Sequence, residues 1–448
     1  MSTLTLTIVA VFCFGYFLIA IEGVTKINKA AIALLMMAVT WTLFMLDPAG
    51  YLSVTDGQAA TAGADVIEGH LGSTATTLFF LMGAMTIVEL IDQNGGFNFV
   101  RTTMQTHSKR ALLWRMAFMT FFISAILDNL TTSIVMIMVL RKLVADPKDR
   151  LVYASLVIIA ANSGGAFSPI GDVTTIMLWN KGVITALGVV ARLLLPALVS
   201  MMVPAYLLSL TLKGRLTTYD AGGTEAAVSE SGLTERQRRI IFFLGVGGLI
   251  SVPFFKGLTG LPPFVGLLFV LGLLWTVTEV FYADPQVKEE DGVMQKRVSE
   301  MLRRIDMSTI LFFLGVLMSV ACLQTVGVLT MLGEGLDTAF RGNCYITTGI
   351  IGILSSIVDN VPLVAGCMGM YPLAEAGNMA IDGSFWQLLS YCAGVGGSML
   401  IIGSAAGVVV MGLEKITFGW YMKHISWLAL AGYLAGMLCY WAEENFIF

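Results

Sequence analysis

The chain is a series of long apolar runs separated by short polar stretches. Apolar runs lie near residues 4–21, 30–46, 73–91, 151–160, 185–212, 238–255, 263–281, 307–323, 405–413 and 419–441. A helix of about 20 apolar residues is long enough to cross a bilayer. The longest polar segments, 214–237 and 282–306, have the length of loops. The pattern therefore predicts an all-α polytopic membrane protein without a soluble catalytic domain, and so not an enzyme.

The composition leads to the same class. Of the 448 residues, 56% are hydrophobic and 12% are charged, whereas soluble domains carry about 25% charged residues. The six cysteines and three histidines are scattered, without a CxxC pair or a metal-like cluster. We therefore expect a lipid bilayer as the surroundings, no nucleic-acid partner and no resident cofactor. The apolar start has no basic segment before it, and we interpret it as a retained helix.

The basic residues are unevenly distributed. They cluster at 26–29, 101–115, 141–150, 213–215, 236–239, 288–304 and 415–423. Neither the stretch between Lys29 and Arg101 nor that between Arg341 and Lys415 contains any Lys or Arg. Because Lys and Arg collect on the cytoplasmic side of membrane proteins, we place all these clusters inside. The acidic segment 47–70 then lies outside.

Four short sequences recur in the same order at a shift of 231 to 234 residues. "SAILDN" at 124–129 matches "SSIVDN" at 355–360, and "GGAFSPIG" at 164–171 matches "GGSMLIIG" at 396–403. "LFFL" at 78–81 recurs at 311–314, and the Trp-Thr pair at 41–42 recurs at 275–276. A constant shift indicates duplication. We predict two homologous transmembrane halves, 1–213 and 236–448, joined by a cytoplasmic linker at 214–235.

The two Asp-Asn segments are predicted to be re-entrant hairpins. Basic residues flank the first, so a hairpin at about 111–142 that enters from the cytoplasm keeps both flanks inside. The second, at about 345–372, lies in a stretch without Lys or Arg and suits entry from outside. Each half then has five spans, an odd number, and the halves face opposite ways. This is the inverted-topology repeat of secondary transporters.

Two further segments are predicted to be unwound helices at the site. They are "NSGGAFSPIGDVTT" at 162–175 and "GVGGSMLIIGSAAG" at 394–407. Irregular backbone at membrane depth is tolerated where it is buried in protein or lines a watery cavity. Together with the hairpin tips, these breaks supply the candidate cation- and proton-binding residues Asp128, Asn129, Thr131, Thr132, Asn162, Asp172, Thr174, Thr175, Asp359, Asn360 and Ser398.

Oxygen atoms dominate this set, and hard cations prefer oxygen ligands. We expect Asp128, Asn129, Asp359 and Asn360 to contact Na⁺. Because no buried Lys or Arg accompanies the acids, a proton or a metal cation must neutralise them. Structural roles are the alternative: the three aspartates could cap half-helices, and Ser398 and Ser404, the counterpart of Asp172, could serve helix packing.

The twin Asp-Asn tips and "NSGGAFSPIGDVTT" resemble those of the NhaD-type sodium/proton antiporters. These belong to the ion-transporter superfamily, which also contains arsenite permeases and dicarboxylate and citrate carriers. The resemblance covers essentially the whole chain and implies exchange of Na⁺ and Li⁺ for H⁺. It also implies a homodimer and an elevator-like movement. The residues that match the family's motifs, and so would have its site roles, are Asp128, Asn129, Asn162, Asp172, Thr174, Thr175, Asp359 and Ser398. In the dicarboxylate carriers the tips usually read Ser-Asn-Thr; both tips here carry an acid instead.

We therefore expect a bacterial-type inner-membrane antiporter that exchanges cytoplasmic Na⁺ and Li⁺ for external H⁺. The alternative within the superfamily is an arsenite or Na⁺-coupled carboxylate transporter; the surplus of buried acids disfavours a carboxylate substrate. An intramembrane aspartyl protease also uses two embedded acids. Its Gly-x-Gly-Asp context is missing here, since Asp172 follows "SPIG".

Overall fold

The computed structural model describes residues 2–20, 25–52, 56–95, 103–104, 106–212, 214, 216, 233–283, 306–357 and 359–447. Within these ranges every long element is a helix, and no strand occurs. Most of the predicted linker at 214–235 lies outside the described residues. The all-helical class expected from the sequence is thus confirmed for the described part of the chain.

The described part of the first half contains eight long helices. They are α1 (Thr3–Ala20), α2 (Lys29–Phe44), α3 (Asp56–Gln93), α4 (Lys109–Leu127), α5 (Asn129–Leu143), α6 (Pro147–Ala166), α7 (Val173–Lys181) and α8 (Ala186–Thr211). A short 3-10 turn, Pro48–Gly50, lies between α2 and α3.

In the second half, ten helices lie within the described ranges. They are α9 (Glu235–Thr259), α10 (Pro263–Tyr282), α11 (Met307–Thr325), α12 (Val328–Phe340), α13 (Cys344–Ser355), α14 (Asn360–Met370), α15 (Ser384–Gly396), α16 (Ala405–Glu414), α17 (Phe418–His424) and α18 (Ser426–Phe446).

Six described helices are long and apolar enough to cross a membrane: α3, α4, α8, α9, α10 and α11. The pair α17 and α18, bent by 52°, adds a seventh if it is one span. The predicted span at 151–160 lies within α6, which has 20 residues, and that at 405–413 lies within α16, which has ten. Each belongs to a pair of helices, α6 with α7 and α15 with α16, which a glycine-rich segment interrupts. The chain is a multi-span membrane protein.

α4 and α5 are antiparallel to each other, and both pack along α6. The hydroxyl of Tyr153, near the start of α6, donates to the carbonyl of Lys109 at 2.8 Å. Arg150 donates to the carbonyl of Val144, just after α5, at 3.4 Å. The turn between the two helices contacts the other end of α6, where Asn129 bonds to Asn162. The chain therefore reverses direction at Asp128.

α13 and α14 have the same relation to α15. Ser355, at the end of α13, donates to the carbonyl of Ala393 near the end of α15 at 2.8 Å. The rings of Tyr371, just after α14, and Phe385, at the start of α15, lie 4.5 Å apart. α13 is therefore parallel to α15 and α14 is antiparallel to it, and the chain reverses direction at Asp359.

Equivalent contacts recur in the two halves. Ser124 donates to the carbonyl of Ala161 at 2.6 Å, as Ser355 does to Ala393. A Cβ at Gly164 would meet the carbonyl oxygen of Phe121 at 2.1 Å, and one at Gly396 would meet that of Gly352 at 2.2 Å. The duplicated glycines thus allow each hairpin to pack at backbone contact on its neighbouring helix.

The helices pack as two groups. α1, α2, α3, α9, α10 and α11 contact one another and form what we call the frame group. The two hairpins, the broken pairs α6–α7 and α15–α16, and α8, α17 and α18 form the site group. The groups meet mainly where α11 contacts α14 and where α3 contacts α7. All predicted site residues lie in the site group.

Candidate functional site

Asp128 lies at the turn of the first hairpin and caps α5. Its φ of 94° is a conformation that L-residues rarely adopt. One carboxylate oxygen accepts from the Thr131 backbone NH at 2.8 Å and the other from the Thr131 hydroxyl at 2.9 Å. The capping role that the sequence left open therefore exists. The two capping hydrogen bonds use one lone pair of each oxygen. The half-buried carboxylate therefore retains further lone pairs for a proton or a cation.

Asp359 has the corresponding place at the second hairpin. One of its oxygens accepts from the Val361 backbone NH at 3.2 Å and caps α14. Pro362 falls within the first turn of α14, where a helix needs no NH donor. The next side chain, Asn360, is 4% exposed and donates to a carboxylate oxygen of Asp172 at 3.0 Å. The tip of one half thus contacts the broken helix of the other half.

Asn162 connects the first hairpin with the second broken helix. It is fully buried and accepts from the side-chain amide of Asn129 at 3.0 Å. Its own amide donates to the hydroxyl of Ser398 at 3.0 Å and to that of Ser404 at 2.9 Å. Asn162 lies near the end of α6, just before the first break, and its partners Ser398 and Ser404 lie in the second break. The interrupted segments of both halves therefore meet at this side chain.

Asp172 is the most deeply buried of the predicted acids, at 1% exposure. One of its oxygens accepts from Asn360 and from the Thr174 hydroxyl, at 3.0 and 2.9 Å. Asp359 lies within electrostatic reach of it. No Lys or Arg forms an ion pair with Asp172 among the described residues. Two carboxylates therefore share a region whose bonded donors are neutral amides and hydroxyls.

The structure arranges the predicted residues as two neighbouring sets. The first contains Asn129, Asn162 and Ser398, and the second contains Asp172, Thr174, Asn360 and Asp359. Gly394 of α15 lies beside the second set, since a Cβ there would lie 3.5 Å from a carboxylate oxygen of Asp172. No described contact joins Asp128 directly to Asp359.

Three predicted threonines differ in their surroundings. Thr131 belongs to the Asp128 cap, and Thr175 donates to the backbone carbonyl of Asp172 at 2.8 Å rather than to another site side chain. Thr132 is fully buried, and its hydroxyl has no partner among the described residues. Thr132 is therefore the hydroxyl of this group that is available to a ligand.

Ser404 was not among the predicted site residues, although the repeat pointed to it as the counterpart of Asp172. The two have nearly the same backbone conformation, with φ and ψ of −146° and 153° for Ser404 and −147° and 149° for Asp172. Both begin the second half-helix of a broken pair. Tyr421 was also missed; its hydroxyl donates to the carbonyl of Ser398 at 2.8 Å, and nothing local in the sequence indicates this.

The donor chemistry of the two sets is that of a hard monovalent cation or a proton. Carboxylate, amide and hydroxyl oxygens are the ligands that hard cations prefer. No group of three or more His, Cys, Asp or Glu side chains forms a transition-metal-like cluster in the described part of the chain. Burial without a basic partner makes a charged Asp172 costly unless a proton or cation compensates.

Known proteins with similar sequences are membrane transporters. Residues 16–389 match the family model described as "Citrate transporter". The chain is 42% identical to sodium/proton antiporter 1 of Arabidopsis thaliana, over 98% of this chain and 72% of that protein. It is 40% identical to sodium/proton antiporter 2 of the same plant, over 97% and 99% of the two chains.

A bacterial relative extends the comparison. The Na(+)/H(+) antiporter NhaD of Vibrio cholerae is 30% identical over 98% of this chain and 91% of that protein. The family model covers most of the chain, and these relatives match it nearly from end to end. The chain therefore belongs to the citrate-transporter family, and within it to the group of NhaD-type sodium/proton antiporters.

Proposed function

We propose that this protein exchanges cytoplasmic Na⁺, and also Li⁺, for external H⁺. The observation that carries the proposal is the buried Asp172, bonded to Asn360 and Thr174 and close to Asp359, without a basic partner among the described residues. Such a group is compensated either by a proton or by a metal cation. Competition of the two for the same carboxylates gives exchange. The named antiporters among the relatives support this chemistry.

In this mechanism Na⁺ from the cytoplasm displaces protons from the tip carboxylates Asp128 and Asp359. Side-chain oxygens of Asn129, Thr132 and Asn360, together with carbonyls freed at the helix breaks, complete its coordination. Asp172 accepts the proton that Na⁺ displaces from Asp359 and releases it to the cytoplasm. After reorientation, external protons return to the carboxylates and release Na⁺ outside.

The proposal is tested by removing the tip charges. Asp128→Asn and Asp359→Asn each keep the size of the side chain but lose its charge. We expect either variant to lower sodium-dependent proton movement in everted vesicles at least tenfold, because a neutral amide cannot exchange a proton for Na⁺. Asp65→Asn, on the exposed part of α3, is the matched control and should behave as the parent. Full activity in either tip variant would show that the assignment is wrong.

The substrate is tested in the same vesicles. Na⁺, Li⁺, K⁺, arsenite and citrate are added in turn across a pH series. Proton movement with Na⁺ and Li⁺, but without uptake of arsenite or citrate, is the expected result. Uptake of either of the last two would favour the arsenite or Na⁺-coupled carboxylate transporter that the sequence left as the alternative.

We further propose that the two halves form an inverted-topology repeat with re-entrant hairpins. Two contacts support the inversion. Asn162 bonds to Ser398, and the hydroxyl of Ser390 donates to the carbonyl of Ala166 at 3.1 Å. The equivalent helices α6 and α15 therefore run antiparallel, as expected for halves that face opposite ways. The reversals at Asp128 and Asp359 support the hairpins.

An elevator-like movement and a homodimer are proposed from the family resemblance. The division of the helices into a frame group and a site group supports the former, because one group can slide against the other as a unit. The proposed location is a bacterial-type inner membrane, with the basic clusters in the cytoplasm. Light scattering of the detergent-solubilised protein tests the dimer; a monomeric mass would contradict it.

A further inference from the structure

A cavity of about 280 Å³ lies where the frame group meets the site group, and we call it the interface cavity. α3 and α11 line it on the frame side, and α7 and α14 on the other. A second cavity of about 390 Å³ adjoins it and shares Lys181, Gln324 and Met368. Pockets that hold small molecules begin at roughly 300 Å³. The volume therefore suits a small organic molecule or ion.

The interface cavity is distinct from the candidate cation site. α7 begins directly after Asp172 and α14 begins at Asn360, whereas the cavity is lined by the second half of each helix, from Met177 and from Ala365 onwards. The first lining residue of α7, Met177, follows Asp172 by five residues, a rise of about 7 Å, and Lys181 follows it by nine, a rise of about 13 Å. The acids of the site are therefore absent from the cavity wall.

The ionisable side chains that line the two cavities are Lys181, His70 and Tyr371, of which the first two are basic and the third is a phenol. No carboxylate lines either cavity in the described part of the chain. Glu68, two residues before His70, lies on another side of α3, since residues two apart on a helix do not share a face. The ammonium group of Lys256 in α9 donates to the carbonyl of Trp179 in α7 at 2.9 Å and so places a further positive charge near the interface cavity.

Several hydrogen-bond donors of the wall are available to a ligand. The ammonium group of Lys181 forms no ion pair with a described carboxylate. The side-chain amide of Gln324 is exposed and also lines both cavities. Asn180 makes only a long bond of 3.5 Å to the hydroxyl of Thr77. Positive charge combined with free NH donors is the chemistry that binds carboxylate or phosphate oxygens.

We propose that the interface cavity binds a small anion with carboxylate or phosphate oxygens, held by Lys181 of the site group and Gln324 of the frame group. The consequence for transport rests on the proposed function. An anion held from both sides stabilises this one arrangement of the two groups and slows their relative movement. In the proposed topology the cavity opens to the outside, so an external anion inhibits exchange.

Binding is tested on the purified protein, independently of transport. The thermal unfolding temperature is measured in detergent while citrate, phosphate or chloride is titrated as the N-methyl-D-glucamine salt at constant ionic strength. We expect a saturable rise with citrate or phosphate. Lys181→Gln should weaken the apparent affinity at least fivefold, and Lys181→Arg should retain it. Lys423→Gln, also in the last turn of a helix but remote from the cavity, is the matched control.

The same titration can overturn the proposal. Citrate and phosphate stabilise proteins non-specifically by exclusion from the surface. An equal, non-saturating rise in the parent and in Lys181→Gln would identify that effect alone and refute the site. Inhibition of exchange is then measured in oriented vesicles, where external but not cytoplasmic citrate should act. If the parent binds citrate saturably but moves no protons with Na⁺, the anion site stands and the proposed function fails.

Discussion

At the scale of single residues, the two halves have equivalent backbones but different chemistry. Asp172 and Ser404 begin equivalent half-helices with the same dihedral angles, yet one is an acid and the other a hydroxyl. The tip amide of the second half bonds directly to Asp172, whereas that of the first half reaches Ser404 through Asn162. The site is thus asymmetric, with the acid pair on one side only.

Asn162 bonds to both other members of the first set, Asn129 and Ser398. We expect Asn162→Ala to lower the free energy of unfolding by about 1–3 kcal/mol, because it leaves buried partners without hydrogen bonds. Unfolding in mixed micelles measures this. Asn445→Ala, whose side chain bonds only to a carbonyl of its own helix, should change little. Equal stability of the two variants would contradict the central role of Asn162.

The sequence identified most of this chemistry but not its pairing. The Asp-Asn tips and the glycine-rich breaks are local signals, and the residues that they mark are indeed neighbours in the site group. Thr175 is an example: its hydroxyl donates to the carbonyl of Asp172, a partner that its place in the motif does not indicate. Which oxygen faces the site depends on backbone angles within the break, and composition does not specify these.

At the scale of elements, each hairpin is a pair of helices that contact the backbone of a neighbour. Gly164 and Gly396 allow this approach, since any side chain there would meet a carbonyl oxygen. Asp128 and Asp359 provide the reversals by capping the second arm of each hairpin. Each hairpin therefore folds back on the helix that follows it in the chain.

The proposed re-entry of the hairpins predicts the side of the membrane from which the two ends of each hairpin can be labelled. In a chain with Cys13 and Cys439 replaced by Ser, His107→Cys and Lys148→Cys should both react with an impermeant thiol reagent from the cytoplasm. Asn343→Cys and Leu373→Cys should both react from outside. The reason is that a hairpin returns its two ends to one side. Labelling of the two ends of either hairpin from opposite faces would mean that the segment crosses the membrane.

At the scale of the whole molecule, charged contacts connect the halves outside the site. The buried carboxylate of Glu414, at the end of α16, pairs with Arg141 of α5 at 2.6 Å and with Arg150 of α6 at 3.1 Å. Asp382, before α15, accepts from the Thr185 hydroxyl at 2.6 Å at the start of α8. These contacts hold the broken pair of one half against elements of the other.

Glu414→Gln tests the first of these contacts. We expect the free energy of unfolding to fall by about 1.5–3 kcal/mol, because hydrogen bonds between charged groups are lost while both arginines remain. Glu235→Gln is the matched control, since its pair with Arg239 is exposed and within one helix. Such pairs contribute about 0.3–0.5 kcal/mol. Similar losses in the two variants would show that Glu414 does not join the halves.

The sequence by itself determined the helical class, the duplication, and the positions of the tips and breaks. These follow from apolar run length, from repeated motifs and from glycine, proline and Asp-Asn turns, which are properties of contiguous residues. Only the tertiary structure decided that Asn360 reaches Asp172, that Asn162 joins Ser398 and Ser404, and that basic groups line the interface cavity. Those contacts join residues more than 100 positions apart, and the packing of whole helices sets them.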